Sequence, residues 1–458
     1  MRPNRKQKLF ISLSIFLVFA GGSSLYCSDG PRGLNVILIT LDALRPDHLG
    51  CYGYKKNTSP NIDKLAKEGV LFTQAISQTS WTCPSFFSLI TSTYPSTNQV
   101  YYWDRILPKS IITLTEILKE KGYCNGFISG HGGTNPNSGF NRGFDTFVDI
   151  VEVRAGQITN EAISWIKNNR NKNFFLWIHY MDTHSPYQPP FPYNKLFLPA
   201  DFIKLSDEFL AEKYKWIGVF PIQSLENTLT EEDREYYISQ YDGVINFIDE
   251  QIGILLKNLK NLNLFKKTFI IITADHGENL ADQDKYFGHG GALYEELIKV
   301  PLILRCKGLF PKGKIINHQI QLIDIMPTIL DILSVDTNVK MEGKTLLPLI
   351  LNKKIKSSYY AFSEVRENEN GKEYILYSIR TANRKLIYCE SENNYEFYNL
   401  KKDPHELNNL VSTEKEQFKF LKEKLEEWMV RPKPNIIPLT TPVDEQTKER
   451  LKSLGYLQ

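Results

Sequence analysis

Four nearly unbroken apolar runs constrain this chain most: Leu34–Thr40, Phe174–Ile178, Thr268–Thr273 and Val300–Leu304. A short run with no polar alternation suits a strand buried on both faces, which is the situation of parallel strands packed between helices. Amphipathic stretches separate them at Asn61–Glu68, Ile111–Lys121, Asn160–Asn169 and Gln240–Leu259. Strand alternating with helix predicts an α/β sheet covered on both faces. Three of the runs lead directly into a titratable residue: Asp42, His179 and Asp275. The C-terminal edge of such a sheet is where ligands bind.

The C-terminal third has a different rhythm. After a helix at Thr328–Leu333, Leu347–Lys356 reads as a loop into a second unit. Tyr374–Arg380, Arg384–Cys389 and Tyr395–Asn399 alternate like antiparallel strands, and Glu414–Val430 is a charged amphipathic helix. The expected organisation is a leader over residues 1–26, a catalytic domain over 33–335, an α+β subdomain over 336–430 and a tail over 431–458.

The leader reads as an address. Arg2, Arg5, Lys6 and Lys8 precede a 12-residue apolar run, Leu9–Ala20, and then Gly21, Gly22, Ser23 and Ser24. That order is the one of a secretory signal, and the run is shorter than the ~18–20 residues of a spanning helix. Cys27 resembles a lipoprotein acylation site, although the preceding Tyr26 is bulky; a retained signal anchor fits as well. The expected location is therefore exported: periplasmic, extracellular or membrane-anchored. Membrane contact is expected only through this leader or its lipid. Lys+Arg 55 against Asp+Glu 52 is too balanced for a nucleic-acid binder. Apolar residues at 42% and charged residues at 23% exclude a disordered or polytopic membrane chain. The six cysteines are scattered, with no metal-type spacing.

Chemistry concentrates in four segments. Asp42 stands at a strand end before a Gly-punctuated turn; alone, such an Asp is more often a helix N-cap. Thr82 precedes Pro84 and a helix, where backbone N–H groups favour an anion; alone, it too reads as a cap. Asp275 and His276 are adjacent at a strand end and could ligate one ion. His179, Asp182 and His184 form a fourth group, with the segment around His289 as companion. Of eight histidines, five (His48, His179, His184, His276, His289) fall in these segments, a clustering that surface histidines would not show.

These segments together resemble the sulfatase family of the alkaline phosphatase superfamily. "LDALRPDHLGCYGY", "WTCPSFFSLITSTYP", "FFLWIHYMDTHSPYQPP", "ITADHGENL", "GHGGALYEELIKVPLIL" and "IDIMPTILDIL" match in order, and "RTANRKLIYCESENNYEFYNLKKDPHELNNL" is similar to the family's C-terminal subdomain. The resemblance implies a mixed, mostly parallel sheet sandwiched by helices, with a smaller C-terminal antiparallel sheet plus helix. It implies that Asp42, Thr82, Asp275 and His276 surround one divalent cation, and that His184 and His289 face the substrate's anionic group. His289 stands near a place where many relatives carry lysine. His179, Asp182 and His131 are implied as substrate-side residues.

The departures narrow the chemistry. Relatives usually read C-x-P-S-R or S-x-P-S-R, the first residue becoming formylglycine; here Thr82 holds that place and Phe86 replaces the arginine. Ala43 stands where many relatives carry a second aspartate, and Gly130, His131 and Gly132 thin a basic clamp. No formylglycine is expected. A threonine hydroxyl beside a divalent cation can attack phosphorus in line, but lacks the second hydroxyl that lets formylglycine hydrate expel sulfate. The cation could be Ca²⁺, Mg²⁺, Mn²⁺ or Zn²⁺, with His276 favouring Mn²⁺ or Zn²⁺. Asp182, His184 and His289 could instead form a second metal site, as in two-zinc members of the superfamily. The expected function is a metal-dependent hydrolase, or phospho-group transferase, with Thr82 as nucleophile. Its substrate would be an anionic ester of a sugar, a lipid head group or a small molecule, with phosphate mono- or diesters preferred. A sulfuric ester hydrolase and an inactive binding protein of the same fold are the alternatives.

Overall fold

The computed structural model describes residues 33–131, 134–150, 153–202, 230–282, 287–353, 360–369 and 372–443, together with 445, 448 and 449. The expected leader over 1–26, Cys27 and Gly132 lie outside the described residues, as does most of the tail beyond 443. Among the described residues no helix is long and apolar enough to cross a membrane, and no disulfide joins Cys51, Cys83, Cys124, Cys306 or Cys389 to one another.

The apolar runs become strands of one nine-stranded sheet. Its spatial order is Lys314–Ile316, Val70–Ile76, Lys299–Arg305, Thr268–Ala274, Asn35–Leu41, Phe174–Tyr180, Cys124–Ser129 and Thr146–Asp149, with Ile320–Gln321 also pairing with Val70–Ile76. All seven residues of Asn35–Leu41, of Phe174–Tyr180 and of Thr268–Ala274 are buried. Both faces are covered. Trp165, from helix Ala155–Asn169, meets Phe174 with ring centroids 5.5 Å apart. Phe86, from helix Thr82–Thr91, meets Trp177 at 4.9 Å. Positions 174 and 177 point to opposite faces because side chains alternate along a strand.

The helices follow their sequence signals. Thr230 and Asp233 form a capping box that opens the long helix Glu231–Asn261, with Glu231 and Glu232 also in its positive first turn. Two glycines let that helix approach its neighbours. A Cβ on Gly243 would lie 2.5 Å from the Tyr193 carbonyl oxygen, and one on Gly253 2.7 Å from Asn61.

Four expectations change. Val300–Leu304 is a strand, Lys299–Arg305, but it runs antiparallel to both neighbours; unbroken apolarity reports burial on both faces, not direction. His179 lies inside its strand rather than after it. Leu347–Ile350, expected as loop, is a short helix whose Leu347 and Ile350 are buried. Val70–Ile76, Cys124–Ser129, Thr146–Asp149 and Ala361–Glu369 are strands that the apolar pattern did not mark, because Thr73, Gln74, Asn125 and the charged residues of 364–369 interrupt it.

The smaller antiparallel sheet is Ala361–Glu369, Lys372–Arg380, Lys385–Cys389 and Asn394–Tyr398. Helix Lys415–Met429 packs on it, with Trp428 stacked on Phe362 at 4.7 Å. The smaller sheet meets the larger one through an apolar seam, in which Ile76 and Ile298 pack with Ala361, Val365 and Leu376, and through polar ties. Glu364 N donates to Gln78 O at 2.8 Å and Ser363 Oγ to Ser77 O at 2.5 Å. The buried ammonium of Lys385 meets Glu406 at 2.7 Å and Glu295 at 3.3 Å, and Arg380 meets Glu295 at 2.8 Å. Buried charges persist when paired in this way.

Candidate functional site

Register builds the centre. Strands Asn35–Leu41 and Thr268–Ala274 are parallel with Leu41 opposite Ala274, so the next residues, Asp42 and Asp275, emerge side by side at the C-terminal edge. Thr40 is opposite His179 on the other flank. Helix Thr82–Thr91 reaches the same edge, pinned because Ser77 Oγ and Ser85 Oγ both donate to the Asp275 carbonyl at 2.5 and 2.7 Å.

Asp42, Asp275 and His276 are fully buried, and one ligand atom from each lies within 4.8 Å of the others. His276 Nδ1 donates to Gly277 O at 2.8 Å, so the ring hydrogen is on Nδ1 and Nε2 carries the lone pair. Asp275 Oδ1 accepts from the backbone N–H groups of Ala43 and His276 at 3.2 and 3.0 Å. Asp42 Oδ1 and Asp275 Oδ2 are buried with no hydrogen-bond partner among the described residues. Two orphaned carboxylate oxygens and an imidazole lone pair converging in a buried cleft fit a divalent cation, which would satisfy all three. Burial, then the like charge of Asp275, pushes the Asp42 carboxyl well above the ordinary range, a penalty that a cation relieves.

Thr82 is the first residue of its helix, one past the cap position held by Trp81. Its Oγ1 sits 3.1 Å from His276 Nε2 and 3.4 Å from Asp42 Oδ2. The N-cap alternative for Asp42 fails as well, since Arg45 holds the cap position of the next helical turn.

Three histidines close the space. His289 lies 4.3 Å from His276 and 4.8 Å from His184 between ring centroids. His289 Nδ1 meets Glu278 Oε2 at 2.8 Å, and His184 Nδ1 donates to Ser185 O at 2.6 Å. Burial lowers their pKa values to about 4 for His289 and about 3 for His184, so both are neutral at pH 7. His179 Nε2 is 3.3 Å from Asp42 Oδ2. Its Nδ1 meets Thr40 Oγ1 at 2.8 Å, and the same oxygen accepts from Trp177 Nε1 at 2.9 Å. His131 is buried between Trp103 at 5.6 Å and His179 at 6.2 Å. Asp182 points its carboxylate elsewhere. Its Oδ1 accepts from Ala155 N at 3.2 Å, at the start of helix Ala155–Asn169, and burial raises its pKa to about 6.

Phe86 fills its place with an aromatic cluster. It stacks on Phe140 at 5.4 Å and meets His179 edge-on at 4.8 Å, with no exposed surface. Phe86→Ala should cost about 3–5 kcal/mol of stability, read as a lower urea midpoint at unchanged slope.

Glu278 and Tyr187 were not legible as site residues. Glu278 is fully buried, accepts from Tyr187 Oη at 2.7 Å and backs His289; burial raises its pKa to about 7. Its place two residues after His276 was the one sequence signal for it. Arg45 Nη1 donates to the Glu278 carbonyl at 3.2 Å and pairs with Asp47 and Asp282, which brace the loop.

A sequence model described as sulfatase matches residues 34–335, and one described as N-sulphoglucosamine sulphohydrolase, C-terminal, matches 284–433. Iduronate 2-sulfatase of Mus musculus is 29% identical over 334 residues, 60% of this chain and 60% of that one. The chain thus spans under two thirds of that relative's length. An arylsulfatase of Clostridium perfringens is 24% identical over 454 residues, 85% of this chain and 93% of that one. The solved phosphonate monoester hydrolase of Agrobacterium radiobacter superposes with a TM-score of 0.73 at 21% identity, covering 90% of this chain and 100% of that one.

Proposed function

Because this chain belongs to the sulfatase family, whose members are ester hydrolases using a divalent metal, we propose that it hydrolyses phosphate mono- or diesters, or the related phosphonate monoesters, with Thr82 as nucleophile. The observation that carries this reading is the position of Thr82 Oγ1, 3.1 Å from His276 Nε2 and 3.4 Å from Asp42 Oδ2. Asp42, Asp275 and His276 would hold a divalent cation, which would supply positive charge to favour the Thr82 alkoxide and polarise the ester. Thr82 Oγ1 donates toward Asp42 Oδ2, which takes its proton as the oxygen attacks. The Oγ1–P bond forms and the bond from phosphorus to the leaving alcohol breaks.

In the second step water attacks phosphorus, the Oγ1–P bond breaks and Thr82 recovers its proton. His184, neutral and with Nδ1 tied to Ser185 O, offers an Nε2 lone pair to take the water's proton. Asp42 returns the proton it took to Thr82 Oγ1, the alkoxide that left in the first step takes its proton from solvent, and His289, steadied by Glu278, orients the substrate's anionic group. An acceptor alcohol in place of water gives phospho-group transfer. The leader's basic, apolar and small-residue order supports action outside the cytoplasm.

Sulfuric ester hydrolysis is the second reading, favoured by the relatives, whose names are sulfatases. Steady-state assays with 4-nitrophenyl phosphate, bis-(4-nitrophenyl) phosphate, a phenylphosphonate monoester and 4-nitrophenyl sulfate, each with Ca²⁺, Mg²⁺, Mn²⁺ or Zn²⁺, separate the two. Phosphorus esters should turn over faster than the sulfate, and intact-peptide mass should show Thr82 unmodified. Dominant sulfate turnover would overturn the phosphorus-ester reading.

A further inference from the structure

We propose that Glu367, on the C-terminal sheet, is a positioning residue for the catalytic centre: its carboxylate holds Trp81 and the Gly290–Gly291 turn, and through them Thr82 and His289. The inference deepens the reading above and rests on its assignment of Thr82 and His289. Trp81 Nε1 donates to Glu367 Oε1 at 3.0 Å. Trp81 immediately precedes Thr82 and is the N-cap residue of its helix. The indole meets the His289 ring edge-on at 5.5 Å.

The two glycines after His289 show how closely the same carboxylate approaches. A Cβ on Gly290 would lie 2.3 Å from the Trp81 ring and 2.9 Å from Glu367 Oε1, and one on Gly291 would lie 3.0 Å from Glu367 Oε2. Both have positive φ, +87° and +58°, so glycine is suited there twice over. The carboxylate is therefore wedged between the residue before the nucleophile and the turn after the histidine.

Its own strand is well placed to be rigid. Ser363 and Glu364 are tied to Ser77 and Gln78 of the lead-in to Trp81. Arg366 O accepts from Tyr102 Oη at 2.7 Å. A charged acceptor on an indole N–H is a strong hydrogen bond. Small displacements of positioned groups cost rate steeply, on the order of 100-fold per ångström.

The test uses the full protein and its best ester from the panel. Glu367→Ala should lower kcat by about 10–100-fold with KM nearly unchanged and no matching loss of melting temperature. Glu367→Gln, which keeps an acceptor for Trp81, should recover most of that rate. Trp81→Phe combined with Glu367→Ala should be no worse than the poorer single variant. An unchanged kcat in Glu367→Ala, or a Glu367→Gln as slow as the alanine variant, would overturn the proposal. Thr82→Ala run in parallel separates the two ideas: if it stays active, the nucleophile assignment fails while the Glu367 comparison is still read. Should none of the esters turn over, hydrogen exchange over 287–294 decides. Faster exchange in the alanine but not the glutamine variant supports the proposal, and equal exchange overturns it.

Discussion

Thr82→Ala should abolish ester turnover, lowering kcat by at least about 10³–10⁴-fold, while leaving the fold intact. Removing a covalent nucleophile typically costs that much or more, and the methyl of alanine keeps the buried start of helix Thr82–Thr91 filled. The cation should still bind to Thr82→Ala, because Asp42, Asp275 and His276 remain. Thr82→Ser should keep substantial activity, since its hydroxyl can occupy the same place between Asp42 and His276. Burst kinetics with a chromogenic ester, together with the mass of a trapped phosphorylated peptide containing Thr82, check the result. Full activity in the alanine variant would remove threonine from the mechanism.

Asp42→Asn should have opposite effects on stability with and without the cation. In the ion-free protein the Asp42 carboxyl is pushed well above its usual range, first by burial and then by the charge of Asp275. A folded pKa above the unfolded one means that this group costs stability at neutral pH. The cost fades as pH falls through the folded value and is gone below the unfolded value, near 4. Asparagine removes the charge, so the chelator-treated variant should melt above chelator-treated wild type. With saturating Mn²⁺ or Mg²⁺ the order should reverse, because the variant loses a ligand. Bound cation at 100 times its Kd stabilises wild type by about 2.7 kcal/mol. That is on the order of 3 °C for a chain of this size, taking about 0.9 kcal/mol/K for the unfolding entropy. Melting scans of both proteins with chelator and with metal test this directly, and activity should fall with the metal-bound melting point.

The places of Asp42 and Asp275 were legible because they stand at fixed offsets from strands that are themselves legible; a shared cation was implied by the family resemblance. Asp42 and Asp275 each follow an unbroken apolar run, and parallel pairing with Leu41 opposite Ala274 brings them together. Thr82 and His276 joined Asp42 in one set only through the resemblance of their segments to the sulfatase family; alone, Thr82 reads as a helix cap. Glu278 was not legible, because an acid on a loop carries no periodic signal; only its contacts with Tyr187 and His289 give it a role. Asp182 shows the converse: it reads as part of a histidine-rich segment, yet its hydrogen bond goes to Ala155 N.

What the amino-acid order determined by itself is local: which segments are buried strands, which are amphipathic helices, and which chemical groups stand at strand ends. Those properties depend on side-chain polarity at spacings of a few residues. The reversed direction of Lys299–Arg305, the aromatic plug around Phe86 and the reach of Glu367 to Trp81 were decided only in three dimensions. Each depends on which surfaces meet, and the last joins residues 286 positions apart. Burial on both faces is the same for either strand direction, and a glutamate's partner is set by where its strand is carried, so neither could be written in a local pattern.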